Sequence, residues 1–415
     1  MSVTLHELDQ AGLSELATTI RNAGASGAGG AGFPTYAKWD RLDEVDHLLV
    51  NHQESEPNYY LDKWLARERA DEFAALFDAL LDTAFETIVV SAKAKDRDEW
   101  LGEFESATDA AVYMPDELPL DPDEESGVVV AYTADRYEYG MESVLLRMVA
   151  DVVIGQDLPM DRGWIVQNTE TLYNVFRAFR DDQPVTHKRV HVGGNVSRHR
   201  FLKVPIGTPA SDLLEAAGRP AAALGDDEIL ADGGPGWCFE IDGAPDEFGV
   251  TKRTNCVLVL DADTADENTL GEGGRINVLG ATEWDDDHET EPTATLDPDV
   301  VRVPLITNPD FEGVVASSEP IVSPGESVSA GEMIATPADG ISNVHHASID
   351  GEVTAVTDGY VEIRRPDEAG VAAESGAKQL DRPLYWTWCT ECGDYVAMLE
   401  WGGNDPTAYV CEECR

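Results

Sequence analysis

The sequence predicts a mixed α/β fold followed by smaller β-rich modules. Strand-like and helix-like segments alternate from about residue 45 to residue 180, short β segments spaced by glycine and proline fill residues 301–364, and four cysteines lie near the end of the chain. Alternation of buried strands with helices favours a mostly parallel sheet with covering helices. Ligands of such sheets bind beyond the carboxyl ends of the strands, which is where we look for a site.

The composition is strongly acidic. The 415 residues include 80 acidic and 29 basic side chains, which gives a net charge of −51 spread along the chain. Such a protein repels itself in dilute buffer, whereas molar salt shortens the Debye length to about 3 Å and screens the repulsion. The composition is therefore typical of a halophilic protein. It argues against nucleic-acid binding, which needs a basic surface.

The sequence shows neither a membrane span nor a secretory signal. It has no apolar run of about eighteen residues, and its first residues lack the apolar core of a signal peptide. We therefore expect a cytoplasmic protein without a transmembrane segment.

The first 180 residues supply the predicted sheet and its helices. Leu13–Asn22 has the periodicity of an amphipathic helix, Phe73–Leu81 presents a second apolar helical face, and Met141–Val153 is a third predicted helix. Five short apolar segments are predicted as strands: Asp46–Asn51, Thr87–Ala92, Ala111–Met114, Val128–Tyr132 and Trp164–Asn168.

The most informative segment is a glycine loop, residues 27–33, with glycine at Gly27, Gly29, Gly30 and Gly32. A backbone without Cβ atoms lets successive N–H groups converge on an anion, and Pro34 suits the first turn of a following helix whose N-terminus adds positive partial charge. The spacing also satisfies G-x-G-x-x-G. Because a helix and not a strand precedes it, we do not predict a Rossmann fold. The alternative is a flexible linker.

Three further segments place polar residues where a predicted strand ends. They are Asn51–Pro57, Tyr137–Ser143 and Gln167–Thr171. Carboxylates and amides there can bind ribose hydroxyls or a ring N–H. The alternative for each segment is an ordinary helix cap or an acidic turn.

The character of the chain changes near residue 184. Predicted strands at Lys188–Val196 and Arg200–Pro205, with a helix at Ala210–Ala217, indicate a small β-rich module. The module holds the main basic concentration of the chain, which is either a solvated strand face or a contact for nucleotide phosphates or an acidic partner. Its members are His187, Lys188, Arg189, His191, Arg198, His199, Arg200 and Lys203.

The last cysteines form two Cys-x-x-Cys pairs, Cys389 with Cys392 and Cys411 with Cys414. This spacing is typical of a zinc ribbon, in which four thiolates hold the metal and stabilise a module too small for a large core. The alternative is iron that accepts single electrons, since a tetrathiolate site accommodates either metal.

The four polar segments, taken in order, resemble one family. They are similar to the flavin-binding domain shared by the NADH-oxidising flavoprotein of respiratory complex I and the C component of the Rnf electron-transport complex. The glycine loop with Lys38 and Trp39 is close to that family's first motif, and the matches then continue in the same order. They are Asn51 to Pro57, then Tyr137, Gly140 and Glu142, then Asn168 to Leu172.

The resemblance implies a set of site residues. It implies FMN as cofactor and NADH as substrate, with Phe33, Glu56 and Glu142 meeting NADH and the two carboxylates as catalytic candidates. The resemblance also implies a set of residues that bind FMN or the nucleotide: Gly27, Gly29, Gly30, Gly32, Lys38, Asn51, Gln53, Glu54, Tyr137, Gly140, Asn168 and Thr169.

Two features depart from the family pattern. Gln53 and Met141 stand where the complex I motif has acidic residues, and no Cys-x-x-Cys-x-x-Cys run for iron–sulfur clusters follows residue 256. The resemblance implies an FMN-dependent NADH dehydrogenase that passes electrons to another subunit or a soluble carrier, with attachment to a membrane complex through partners as an option. The alternatives are a non-catalytic flavin-binding or scaffold subunit and a corrinoid-directed reductase.

The same resemblance suggests a domain plan. We predict an FMN- and NADH-binding α/β domain at 1–183, a soluble-ligand-binding β-grasp domain at 184–262 and an acidic linker at 263–299. A barrel-sandwich hybrid at 300–366, resembling lipoyl carriers but without an acceptor lysine, and a zinc ribbon at 383–415 complete the plan. This module order resembles cobalamin reductases of propanediol-utilisation microcompartments.

Overall fold

The computed structural model consists of two compact units, Met1–Arg365 and Pro366–Arg415. In the first unit it describes Leu5, Leu8 and residues 12–365 apart from 272–273, 282, 285–287 and 309–313. In the second it describes residue 366 and the backbone of two strands.

The first part of unit one alternates helices and strands. Long apolar runs such as Thr87–Lys93 are buried on both faces of the sheet, as central parallel strands require. The elements are α1 (Leu13–Asn22), α2 (Tyr36–Trp39), β1 (His47–His52), α3 (Leu61–Glu68), α4 (Ala70–Leu81), β2 (Thr87–Lys93), α5 (Gly102–Ala107), β3 (Ala111–Tyr113), β4 (Gly127–Thr133), α6 (Glu142–Ala150), β5 (Trp164–Asn168) and α7 (Thr169–Asp181).

These strands form one parallel sheet in the order β3-β4-β2-β1-β5. One face packs on α1, α3, α4, α5 and α7 around a core that includes Trp39, Phe73 and Phe179. The other face packs on α6, with Leu145 and Val149 in its core. The predicted parallel α/β sheet is therefore confirmed, and each strand ends within one residue of its predicted limits.

A second, mixed sheet follows. It has eight strands in the order β11-β12-β9-β8-β10-β6-β7-β13. Its elements are β6 (His187–Gly194), β7 (Arg200–Pro205), α8 (Ala210–Ala216), β8 (Glu228–Gly234), β9 (Trp237–Glu240), β10 (Cys256–Asp261), α9 (Ala262–Glu267), β11 (Thr269–Leu270), β12 (Arg275–Ile276) and β13 (Ala294–Thr295).

Residues 263–299, predicted as an acidic linker, contain most of α9 and all of β11, β12 and β13. These short strands pair at the two edges of the mixed sheet. Edge pairing uses backbone hydrogen bonds, which leave acidic side chains free to point to solvent. An acidic composition therefore does not by itself make a segment a linker.

Two small sheets complete unit one, in the orders β14-β20-β19-β16 and β15-β17-β18. They share a core that includes Val303, Ile334 and Val361. Their strands are β14 (Val300–Pro304), β15 (Glu319–Pro320), β16 (Ser327–Val328), β17 (Met333–Thr336), β18 (His345–His346), β19 (Gly351–Val356) and β20 (Tyr360–Arg364).

In unit two, β21 (Tyr385–Trp388) and β22 (Tyr395–Met398) pair antiparallel. Cys389, Cys392, Cys411 and Cys414 lie outside the described residues, so the metal site stays a prediction. None of the helices in the described part of the chain has the length and apolar character of a bilayer span.

Candidate functional site

The four polar segments meet at one edge of the parallel sheet. Strands β1, β2, β4 and β5 all end there, and we call this the carboxyl edge. Asn51 Nδ2 donates to the carbonyl of Gly140 at 2.8 Å, and Ser55 Oγ donates to the carbonyl of Tyr137 at 3.1 Å. The segments after β1 and β4 are therefore in direct contact.

The glycine loop lies beside this edge and closes on itself. The Gly27 N–H donates to the carbonyl of Phe33, and the Gly32 N–H donates to the carbonyl of Gly27, both at 2.8 Å. The Ala28 N–H donates to Thr171 Oγ1 at 2.9 Å, which ties the loop to the first turn of α7. The loop is thus held with its tip at the carboxyl end of β5.

Three successive amides at the loop tip remain available. None of the described residues accepts a hydrogen bond from the N–H groups of Gly29, Gly30 or Ala31. A Cβ on Gly30 would meet only Asn255 Nδ2, at 3.8 Å, so open space adjoins the loop there. A run of free amides beside open space fits an anionic group such as the phosphate of a nucleotide.

Close packing leaves no room for a side chain at two other loop glycines, Gly29 and Gly32. A Cβ on Gly29 would lie 3.0 Å from Asn168 Cγ. At Gly32, where φ is +63°, a Cβ would lie 2.5 Å from the carbonyl oxygen of Thr307. Neither position accepts a side chain without movement of its neighbours.

Charged and polar groups from later parts of the chain hold the loop carbonyls. Lys188 Nζ donates to the carbonyl of Ala28 at 2.9 Å, to Asn255 Oδ1 at 3.1 Å, and to Glu170 Oε2. The Lys188 and Glu170 side chains are each 2% exposed, so this is a buried ion pair. The first contact binds the loop to β6 of the mixed sheet, and the other two hold the Lys188 side chain in place.

Two side chains from later parts of the chain, Asn308 and Lys252, bind the backbone at the other end of the loop and just before it. Asn308 Nδ2 donates to the carbonyl of Ala31 at 2.7 Å, across 277 positions of sequence. Lys252 Nζ donates to the carbonyls of Gly24 and Val344, each at 2.7 Å, just before the loop begins. Burial lowers the pKa of Lys252 to about 7.

Asn168 acts as the N-cap of α7. Its Oδ1 accepts from the N–H groups of Glu170 and Thr171, and its Nδ2 donates to Asp62 Oδ2 at 2.7 Å. Burial, with the charge of Glu170 adding to it, raises the pKa of Asp62 to about 7. Asn168 is therefore a helix cap, as the alternative interpretation holds. It also packs against Gly29 and so lies beside the loop.

Thr169 and Gln53 are also buried and bonded within the protein. Thr169 Oγ1 lies 2.9 Å from His52 Nδ1. Gln53 Nε2 donates to Ser91 Oγ and Thr133 Oγ1, on the neighbouring strands β2 and β4. An ionised aspartate in place of Gln53 could only accept hydrogen bonds and could not donate to these two hydroxyl groups. The glutamine therefore suits this position.

Glu54 caps the start of α3. It accepts from the N–H groups of Asp62 and Lys63, at 2.7 and 3.4 Å. Burial raises its pKa, because the charged form loses hydration, and the nearby Asp62 adds to the rise. Glu54 therefore lies below the carboxyl edge and not at an open surface.

Lys38 and Glu142 form an ion pair at 2.7 Å, and Lys38 Nζ also donates to the carbonyl of Val166 at 3.0 Å. Lys38 lies in α2, which is only four residues long. So short a helix has little dipole, and the free loop amides are therefore the main source of positive partial charge here.

Glu56 joins the carboxyl edge to the mixed sheet. Its Oε1 accepts from the Tyr137 hydroxyl at 2.6 Å, and its Oε2 accepts from the Gly236 N–H at 2.8 Å. Burial raises the pKa of Glu56, although these hydrogen bonds oppose the rise. The β8–β9 turn thus lies over the carboxyl edge.

A family model described as the Nuo51 FMN-binding domain matches residues 20–177, a range that contains the glycine loop and every segment of the carboxyl edge. Residues 20–177 match the FMN-binding domain of the Nuo51 family. The resemblance on which the sequence analysis relied is confirmed.

The chain is also similar to parts of longer proteins. Cobalamin reductase PduS of Salmonella typhimurium is 31% identical over 266 residues, covering 63% of this chain and 53% of that protein. The C component of the ion-translocating oxidoreductase complex of Pseudomonas aeruginosa is 31% identical over 252 residues, covering 60% of this chain and 30% of that protein. The chain thus spans about half the length of the former and less than a third of the latter.

A solved structure shows a weaker likeness. A chain of the NAD+-reducing [NiFe]-hydrogenase in its H2-reduced state is 20% identical, with a TM-score of 0.47 over 64% of this chain and 50% of that chain. A likeness at this level supports no functional conclusion.

Sequence reasoning missed the groups that hold the glycine loop. Lys188 carried a signal, because strand alternation places it on the same face as the buried Val190. Asn308 and Lys252 carried none, since Ala31 and Gly24, the residues that they bind in and before the loop, lie more than 200 positions away.

Proposed function

We propose that this chain is an FMN-dependent oxidoreductase that takes electrons from NADH and passes them to a partner subunit or a soluble carrier. The observation that supports it best is the row of free amides at Gly29, Gly30 and Ala31, set in the family's flavin domain at the carboxyl edge of a parallel sheet. We include a cytoplasmic location in the proposal, with attachment to a membrane complex through partners as an option.

The glycine loop would hold the FMN phosphate through the N–H groups of Gly29, Gly30 and Ala31, while Gly27 and Gly32, whose N–H groups close the loop, would shape it around the phosphate. When bound, FMN supplies the capacity to accept a hydride from NADH and to release electrons singly. The residues that would line the flavin are Asn51, Tyr137, Gly140, Asn168 and Thr169, with the buried Gln53 and Glu54 supporting them from behind.

The chain's own contribution is position and charge. Phe33, half-buried at the end of the loop, would contact the adenine of NADH. Lys38, already paired with Glu142, would add positive charge near the phosphate, while Glu56 and Glu142 would orient the donor. Buried Asp62 and Glu54 keep raised pKa values, which limits negative charge beneath a ligand that is itself anionic.

A corrinoid-directed reductase is the second candidate. The 31% identity to cobalamin reductase PduS, over 63% of this chain, favours it. Both candidates share the flavin step and differ in the electron acceptor, so a comparison of cob(III)alamin with a protein or quinone acceptor separates them.

We also assign the later modules by resemblance. The mixed sheet would be a β-grasp domain and the two small sheets a barrel-sandwich hybrid. The four terminal cysteines would hold zinc, or iron in the alternative. Colour distinguishes the metals, because ferric tetrathiolate sites absorb visible light and zinc sites do not.

The test uses the full chain, purified in molar KCl and incubated with FMN. We expect a yellow protein that NADH bleaches under anaerobic conditions. A protein that stays colourless would refute flavin binding. A yellow protein that dithionite bleaches and NADH does not would refute NADH as donor and leave flavin binding intact.

Matched glycine variants test the loop itself. Gly30 and Gly155 both have positive φ, +99° and +60°, and both have room for a Cβ, so Gly155→Val controls for backbone strain. We expect Gly30→Val to weaken FMN binding about tenfold or more, about 1.4 kcal/mol, and Gly155→Val to leave it unchanged. Equal FMN affinity in the two variants would place the flavin elsewhere.

A further inference from the structure

An exposed aromatic side chain lies next to the carboxyl edge, on the turn that Glu56 binds. Trp237 begins β9 and is 45% exposed, although most large apolar side chains of unit one are buried. Its neighbour Gly236 packs so closely that a Cβ would lie 2.6 Å from the Tyr137 ring. The Glu56 and Tyr137 contacts therefore fix the position of Trp237 relative to the predicted flavin-lining residues.

A guanidinium lies against this ring. Arg275 Cζ is 4.3 Å from the centroid of the Trp237 ring. The pairing of Ile276 with Cys238 makes Arg275 and Trp237 diagonal neighbours on adjacent strands, so both side chains stand on one face. The same guanidinium acts on Tyr137. Burial and the Glu56 carboxylate raise the pKa of Tyr137, and the positive charge of Arg275 lowers it.

Arg275 is unusual on so acidic a protein. The chain has 80 acidic residues against 29 basic ones, yet no carboxylate among the described residues forms an ion pair with Arg275. An arginine that pairs with an exposed indole keeps its N–H donors for a further anion. The surrounding negative charge would repel an anion that lacked such a contact.

The chemistry of the pair selects its ligand. An exposed indole stacks on planar bases, and a guanidinium binds phosphate in bidentate fashion. An adenosine phosphate combines these two groups within one small molecule. We propose that Trp237 and Arg275 bind the adenosine diphosphate part of the pyridine dinucleotide, the indole against the face of the adenine opposite to Phe33 and the guanidinium against phosphate. This inference rests on the proposed function and assigns part of its donor site to the mixed sheet.

The test compares the holoprotein with Trp237→Ala, Trp237→Phe and Arg275→Gln variants in NADH oxidation and in calorimetric binding of ADP-ribose. We expect Trp237→Ala to raise KM for NADH and Kd for ADP-ribose about tenfold, with kcat within about twofold. Trp237→Phe should restore most of the affinity. Arg275→Gln should weaken binding about fivefold, less so as KCl rises, because salt screens the phosphate contact.

Arg67→Gln is the matched control. Arg67 lies 4.4 Å from the centroid of the Trp100 ring, but that ring is only 4% exposed and has no face for a ligand. This variant should leave both constants unchanged. Unchanged KM and Kd in Trp237→Ala, or an equal loss in Arg67→Gln, would overturn the inference. A loss of FMN in Trp237→Ala would also overturn it, by showing a structural role.

Failure of the proposed function gives a different result. If the wild-type flavin is not reduced by NADH, ADP-ribose binding still reports on Trp237 and Arg275 directly. Tight ADP-ribose binding that these variants weaken would then retain the subsite and reject NADH as donor. Absence of ADP-ribose binding by a flavin-loaded, NADH-reducible wild type would reject the subsite alone.

Discussion

Replacing Lys188 by methionine should destabilise unit one by about 3–5 kcal/mol, the usual cost of removing one partner of a buried ion pair. Lys188 and Glu170 are each 2% exposed, so methionine leaves the Glu170 carboxylate buried without its cation. The carbonyl of Ala28 and Asn255 Oδ1 lose the same donor. Methionine matches the length of the lysine stem, so little packing is lost.

Urea unfolding followed by circular dichroism measures this cost. With a slope of about 3 kcal/mol per molar urea, a loss of about 4 kcal/mol lowers the midpoint by more than 1 M. The double variant Lys188→Met/Glu170→Gln should recover about half of the loss, because it removes the unpaired charge. Lys203→Met is the control: Lys203 lies on the neighbouring strand β7 without an ion pair among the described residues, and we expect a change below about 0.5 kcal/mol.

Flavin affinity is the second readout. Because Lys188 binds the glycine loop, we expect Lys188→Met to weaken FMN binding under conditions where the protein stays folded. A loss below about 1 kcal/mol in Lys188→Met, or a double variant as unstable as the single one, would refute the view that a buried ion pair holds the loop.

Three other predictions concern separate parts of the chain. Asn308→Ala removes the hydrogen bond to Ala31 and should weaken FMN binding several-fold in a flavin titration, whereas Asn343→Ala, which removes a 3.2 Å contact to Gly24 and a 2.9 Å hydrogen bond from the Val344 N–H, should have a smaller effect because neither contact reaches the loop tip. The pKa of Lys252 is about 7 folded against 10.5 unfolded, so the unfolded chain binds more protons between these values. Stability should therefore rise from pH 7 to about pH 10 in urea titrations, and Lys252→Met should abolish this rise. Cys411→Ser should lower bound zinc, measured by elemental analysis, from about one equivalent per chain, and unchanged zinc would contradict the ribbon.

Local patterns made much of the fold and the site predictable. The five buried strands and the amphipathic α1 follow from hydrophobic periodicity, and the glycine loop follows from composition within a few residues. The carboxyl-edge segments are predictable because each lies at the end of a strand or a few residues beyond it. These features depend on neighbours in sequence, which is what a single sequence records best.

The remaining features depend on contacts between distant segments. The Glu56 carboxylate is bound by Gly236 across 180 positions, and Lys188 reaches Ala28 across 160. Residues 263–299 were expected to be a linker because their composition is acidic, but backbone pairing at sheet edges places their short strands. No periodicity or motif indicates which distant backbone a side chain will meet.

The hydrogen bond from Asn308 to the carbonyl of Ala31 has a practical consequence for dissecting this protein. An expression fragment ending at residue 183 would contain every family motif, yet it would lack the Lys188, Lys252 and Asn308 side chains that bind the backbone on either side of the loop tip. Flavin affinity measured on such a fragment would underestimate that of the intact chain. Chimaeras built from relatives should exchange the parallel sheet, the mixed sheet and the two small sheets of unit one together.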